Sequence, residues 1–182
     1  MKKDTEMDRE VMEPRFVVDT MLGDLARWLR MLGYDTKYSR DYEDWQLLRI
    51  AEKESRILIT RDRGLYWRAR RRGLNTVLVE GDDIAKRLYT VAIRYSIRLY
   101  VDFGLTRCSI CNTPLVKVDK EEVKDKVPKL VYEKYHDFWI CPRCGKVYWR
   151  GRHWIKIEEI LAQVRGMVDE RKRTCSSKRV KL

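Results

Sequence analysis

Two pairs of cysteines, Cys108-x-x-Cys111 and Cys141-x-x-Cys144, stand 29 residues apart in this chain. A C-x-x-C turn lets two thiolates face one ion while backbone amides point at the sulfurs. Two such turns supply the four soft, tetrahedral ligands that Zn²⁺ prefers. The second runs Cys141-Pro142-Arg143-Cys144-Gly145-Lys146, with a glycine where a tight knuckle favours one. The spacing therefore predicts a zinc ribbon with a structural ion. The gap exceeds the usual range, so an insertion at about Asp119 to Lys134 is expected between the knuckles. Four unligated buried thiols would not need paired spacing. A thioredoxin-type redox role is weaker still, because neither pair opens a helix after a strand. Cys175 is left over, with no role assigned.

The second set is carboxylate. Asp19 follows the apolar run Phe16-Val17-Val18, Asp62 follows Ile57-Leu58-Ile59-Thr60, and Asp44 precedes Leu47, Leu48 and Ala51. In a parallel sheet the strand C-termini share one edge, where ligands commonly bind. Asp19 and Asp62 could converge there, with Asp44 brought in by a helix start. Clustered carboxylates repel unless a cation sits between them, and hard oxygen donors favour Mg²⁺ or Mn²⁺. Such an ion can activate water against a phosphodiester. For any one of the three, helix capping or a turn is the simpler reading. For the trio, flanked by Arg61 and Arg63, a metal site stands beside it as an equal alternative.

The elements that must position these groups are legible in periodicity. Strands are expected at Phe16–Val18, 34–38, 57–60 and 76–79. Leu22, Leu25, Leu29 and Leu32 mark one face of a helix that Gly33 would end. Asp44 could cap a second helix, a basic helix runs toward Gly73, and Gly81-Asp82-Asp83 opens another, through about Tyr95. Strands alternating with helices argue for an α/β domain with a mostly parallel sheet. Trp154, Ile157, Leu161, Val164 and Val168 predict a later helix that packs back on the rest. The expected organisation is a flexible arm over 1–14, the α/β domain over 15–103, the ribbon with its C-terminal helix over 104–170, and a basic disordered tail over 171–182.

Composition narrows the class. The chain has 182 residues, 44% hydrophobic and 37% charged, with 40 Lys+Arg against 28 Asp+Glu and a net charge of +12. That excess points to a polyanion, nucleic acid or an anionic surface. No apolar run approaches a membrane span, and MKKDTEMDREVMEPRF lacks the apolar core of a secretory signal. A cytoplasmic, reducing location is expected, where paired cysteines serve as metal ligands.

The wording around the acids is more specific than their spacing. Phe16 to Gly23, Leu25 to Thr36, Ile57 to Arg63 and Cys141 to Trp154 closely resemble the Mut-seven C-terminal RNase domain family, over about Phe16 to Leu161. The resemblance implies a PIN-like nuclease domain fused to a zinc ribbon, and metal-dependent RNA cleavage. It implies that Asp19 is the first PIN acid, Asp44 the acid opening a later helix, and Asp62 the acid of a T-x-D turn. A fourth acid is usual in PIN nucleases; Asp24, Asp35, Asp41 and Asp82 are the candidates here.

Cations and aromatics supply the RNA-contact candidates. Arg61 to Arg72 holds six arginines and one acid. Arg143 to Lys156 holds no acid and interleaves Tyr148, Trp149, His153 and Trp154 with basic residues. Arg61, Arg63, Lys146, Arg150, Arg152 and His153 are the expected RNA-binding residues. Core packing is the favoured reading for Trp149 and Trp154. His136 and His153 are not needed as zinc ligands.

The resulting expectation is a ribonuclease that uses Asp19, Asp44 and Asp62 with Mg²⁺ or Mn²⁺, with structural Zn²⁺ in the ribbon. The alternative is an RNA- or ribosome-binding protein without turnover, or with little, linked to rRNA processing. A zinc-ribbon DNA-binding factor would leave the α/β domain idle. The sequence identifies no particular RNA and sets no oligomeric state.

Overall fold

The computed structural model describes residues 13–179, with side-chain surroundings through Cys175. Residues 1–12 of the expected arm and 180–182 of the tail lie outside this range. The first half alternates β1 (Phe16–Val18), α1 (Gly23–Met31), β2 (Thr36–Lys37), α2 (Asp44–Lys53), β3 (Ile57–Thr60), α3 (Arg63–Arg71), β4 (Thr76–Leu78) and α4 (Ile84–Tyr95). The four strands form a parallel sheet in the order β2-β1-β3-β4. β1 is central, pairing Phe16 with Thr36 on one side and Val18 with Ile59 on the other.

Both faces of the sheet are covered, which is why its strands read as unbroken apolar runs rather than alternating ones. Phe16, Val18, Ile57 and Ile59 face α1 and α4. Val17 and Leu58 face α2 and α3, against Leu47, Leu48, Leu65 and Ala69. β2 is shorter than the apolar and aromatic content of 34–38 suggests. Tyr34 is spent in the core, stacked edge-on to Phe16, with its hydroxyl accepting from the Arg98 amide. Gly33 ends α1 as expected, at φ +94, and a side chain there would strike the Arg98 guanidinium and the Leu105 carbonyl.

The second half holds a small antiparallel sheet, β5 (Val116–Val118), β6 (Phe138–Ile140) and β7 (Val147–Trp149), in that order. The expected insertion contains a short 3-10 turn at Lys120–Val123 and α5 (Lys129–Lys134). Phe103 stacks on Trp139, ring centroids 3.9 Å apart, beside buried Cys108, Leu115 and Cys141. Finally α6 (His153–Arg179) lies along the α/β domain, with Leu161 and Val164 fully buried in its core. The helix continues through 171–179, where the sequence reads as an aperiodic, disordered tail. Within this stretch Lys172 pairs with Asp169 one turn back, an i, i+3 contact that supports an exposed helix weakly.

Candidate active site and metal centre

β1 and β3 are neighbours and both end at the same sheet edge, at the point where the chain order reverses between β2 and β3. Open parallel sheets form their ligand crevices at such points. Asp19 leaves β1 there and is buried, 6% exposed. Its amide donates to the Ile59 carbonyl, 3.0 Å, so the last rung of the ladder fixes its position. The Thr60 hydroxyl, fully buried, donates to Asp19 Oδ2 at 2.6 Å and accepts from the Asp62 amide at 2.9 Å. One hydroxyl thus ties the two acids' segments together. Asp62 is exposed and caps α3, its Oδ1 accepting from the Leu65 amide at 2.7 Å.

Asp44 is arranged differently from the expectation. Glu43, not Asp44, is the N-cap of α2, and its amide donates to the Gln46 side chain at 2.8 Å. Asp44 is the first helical residue and forms an ion pair with Arg68 of α3. Among the described residues, the three acids do not form a set whose oxygens all lie within 4.8 Å.

The candidates for a fourth acid are dispersed. Asp24 pairs with the buried Arg87 at 2.6 Å, and Arg87 also donates to the Gly81 and Asp82 carbonyls. Asp82 pairs with Arg61 at 3.0 Å. Asp41 accepts from Ser39 in the exposed turn after β2. Asp35 precedes β2, at the opposite end of the sheet, where Arg56 and Asn112 bind it at 2.8 and 2.6 Å. Burial pushes the Asp35 carboxyl up, but these two partners outweigh it and hold the group below its ordinary value.

Of the expected RNA-contact residues, Arg63 reaches Glu80 at 3.1 Å. Lys146 lies over the Tyr148 ring, and Arg150 over both Phe103 and Trp154. Arg152 and His153 are exposed, lining a cleft with Tyr135 and Trp149.

The four paired cysteines converge. Their sulfurs all lie within 4.8 Å of one another, with Cys108–Cys144 at 3.5 Å and Cys111–Cys141 at 3.3 Å. A disulfide would need about 2.05 Å; four thiolates around one tetrahedral ion stand about 3.8 Å apart. The donor set therefore fits a single ion. The two knuckles fold alike. The Asn112 amide donates to the Cys108 carbonyl and the Gly145 amide to the Cys141 carbonyl, both 2.9 Å. Asn112 at φ +67 holds the left-handed position that Gly145 holds at +73, a role asparagine tolerates better than most residues.

The thiols are split electrostatically. Burial pushes Cys111 up, but the Thr113 hydroxyl and amide and the sulfurs of Cys141 and Cys108 bring it down to about 6. At Cys144 the Lys146 amide pulls the thiol down, but desolvation and the neighbouring sulfurs win and hold it at about 12. Four thiols cannot ionise together at neutral pH unless a cation absorbs their charge.

Three groups that join the knuckle to the α/β domain have no signal in the local sequence. Arg30, 4% exposed, donates to the Thr36, Ser109 and Ile110 carbonyls, each at 2.9 Å. Arg107 donates to the Gly33 and Asn112 carbonyls, and Asn112 Oδ1 accepts from the Thr36 amide. Thr60 is likewise invisible as a bridge, because its partner lies 41 residues away.

No helix among the described residues is long and apolar enough to cross a membrane. No curated protein and no solved structure matches the chain. Residues 14–161 match the Mut7-C RNAse domain. That span takes in the acid-bearing sheet edge and all four clustered cysteines. Membership implies a ribonuclease acting on RNA, and the chain belongs to the Mut7-C RNAse domain family.

Proposed function

We propose that the chain is a metal-dependent endoribonuclease whose reaction centre is the sheet edge between β1 and β3. The observation that carries the reading is the Thr60 bridge. A fully buried hydroxyl orients one acid through a short charge-assisted bond and holds the segment of another through a local turn, so the two acids are fixed relative to each other. Asp19 and Asp62 would hold Mg²⁺ or Mn²⁺, with Asp44 joining once it leaves Arg68. The ion would supply Lewis acidity and lower the cost of ionising water beside the scissile phosphate. Asp19 contributes a carboxylate fixed in direction by Thr60. Asp62 contributes a second at the mouth of the crevice. Arg61 and Arg63, on the same turn, would meet phosphate charge on leaving Asp82 and Glu80, and the expected products carry 5′-phosphate and 3′-hydroxyl ends. The ribbon, with Zn²⁺ in its four cysteines, would add basic surface for the RNA through Lys146, Arg150, Arg152 and His153.

The ion pair of Asp44 with Arg68 and the lack of a compact carboxylate trio favour a second reading. In it the chain binds RNA or a ribosomal surface and turns nothing over. Cleavage of end-labelled structured and unstructured RNAs with Mn²⁺, Mg²⁺ or chelator, beside an Asp19→Asn/Asp62→Asn double variant, separates the two. Metal-dependent cutting lost in the variant supports the nuclease. Equal binding by both proteins without cutting overturns it in favour of the second reading.

A further inference from the structure

A cavity of about 290 Å³ lies where α1, the ribbon and the start of α6 meet, and the reaction described above does not use it. Trp28 of α1, Tyr148 and Trp149 of β7 and Trp154 of α6 wall it, and Arg27 and Arg107 stand in its lining. No acidic residue lines it. The volume is at the small end of ligand pockets; it suits one planar ring system rather than a large ligand.

We propose that this cavity is a subsite for one unpaired nucleobase of the RNA. The inference rests on the ribonuclease reading and adds a place where the strand is gripped away from the cut. Three observations lead to a base. The walls are aromatic faces, on which any base can stack. Trp28, Tyr148, Trp149 and Trp154 each pack against a core cluster on one side and remain partly exposed on the other. The charged residues in the lining are both arginines, which suits the phosphates that flank a base and disfavours a basic peptide. Arg27 is exposed and makes no ion pair among the described residues. Arg150 sits 5.2 Å from the Phe103 ring and 5.4 Å from the Trp154 ring, holding the aromatic cluster from outside.

The pocket is also built rather than incidental. Phe103 stacks on Trp139 and lies 5.3 Å from Trp154, so the ribbon's core sets the angle of one wall. Gly151 leaves room for the neighbouring indole: a side chain there would come within 2.9 Å of Trp149 Nε1. The hydroxyls that reach the cavity are already engaged. Thr106 donates to the Met31 and Asp102 carbonyls, and Ser109 shares a hydrogen bond with Tyr148. With both lining hydroxyls engaged, stacking on the aromatic walls is the main grip the subsite offers a base. α1 begins beside Asp19 and ends at this pocket, and its nine residues span about 13 Å.

The test uses the full, zinc-loaded chain carrying Asp19→Asn/Asp62→Asn, so that RNA is held uncut. Affinity is measured for an unstructured oligoribonucleotide and for an abasic sugar-phosphate oligomer of equal length. The base-bearing strand should bind about 5- to 150-fold tighter. Met31→Trp, which fills the cavity from its rim, should abolish that ratio, and Trp28→Ala should reduce it. Equal binding of the two oligomers by the parent overturns the subsite, as does an unchanged ratio in a Met31→Trp protein of parental Tm. Binding of neither oligomer also overturns it. Cleavage by the chain with its acids intact is recorded in parallel. If cutting persists while the ratio is one, the subsite falls and the ribonuclease reading stands; if cutting is absent, that reading falls on its own result.

Discussion

Replacing Thr60 by valine removes one oxygen at nearly constant volume, so no cavity term enters. Two hydrogen bonds go with it. The bond to Asp19 Oδ2, 2.6 Å, is charge-assisted and buried, and such bonds contribute about 1.5–3 kcal/mol. The bond from the Asp62 amide, 2.9 Å, lies at an exposed residue, where water can replace much of it, leaving about 0.5–1 kcal/mol. Thr60→Val should therefore lose about 2–4 kcal/mol of stability. For a chain of this size that lowers Tm by roughly 4–16 °C. Activity should fall about 10- to 100-fold, the cost of letting acids move by about 1 Å. Thr60→Ser keeps the hydroxyl and loses one methyl, so it should cost about 1 kcal/mol and leave turnover within a few-fold. Urea titration and metal-dependent RNA cleavage read the two quantities. A valine variant as stable and as active as the parent would refute the claim that Thr60 links the acids, and the active-site assignment would lose its main support.

Asp62→Asn should leave stability within a few tenths of a kcal/mol, because asparagine caps a helix as well as aspartate, while cleavage collapses; a matching Tm with full activity would exclude Asp62 from the reaction. Asp35→Ala should cost about 1.5 kcal/mol at pH 7, since Arg56, almost fully buried, loses one of its two carboxylate partners and keeps Glu54. Asp35 is held below its ordinary 3.8, so its contribution is complete above that value and is lost as pH falls through the lower folded one. The parent–variant gap in urea midpoint should thus be flat above about pH 5 and close below pH 4, and a gap that widens on acidification would contradict the sign. Arg30→Met should weaken zinc retention about tenfold through the freed Ser109 and Ile110 carbonyls, measured by competition with a chelator, and release should become easier as pH falls because protons compete for the thiolates.

What the sequence made legible was the local part of each element. β1, β3 and β4 stand out because strands covered on both faces must be apolar throughout. The metal centre stands out because a C-x-x-C knuckle is a short-range motif. The Asp44 cap was misread by one residue, since glutamate is an uncommon N-cap and Glu43 takes the position only with help from Gln46. The helical course of 171–179 was missed because apolar periodicity fades there while backbone propensity and i, i+3 pairing continue. Thr60, Arg30 and Asn112 were out of reach for a common reason. Each acts on a group tens of residues away, so its role exists only once the sheet has closed and the knuckle has docked.

The stitching of the first knuckle onto α1 and β2 bears on how the gene could be cut. A fragment ending at residue 103 would leave the Arg30 guanidinium without the Ser109 and Ile110 carbonyls, and Asp35 without Asn112. It would also strip Leu161 and Val164 from the face of α4. A fragment beginning at residue 104 would carry the four cysteines but lose Phe103, the ring that fills the centre of the ribbon. Neither half is a self-sufficient building block. The smallest piece that keeps every one of these contacts runs from β1 into α6, so shuffling or fusion should treat that span as indivisible, and drift in either half is constrained by the other.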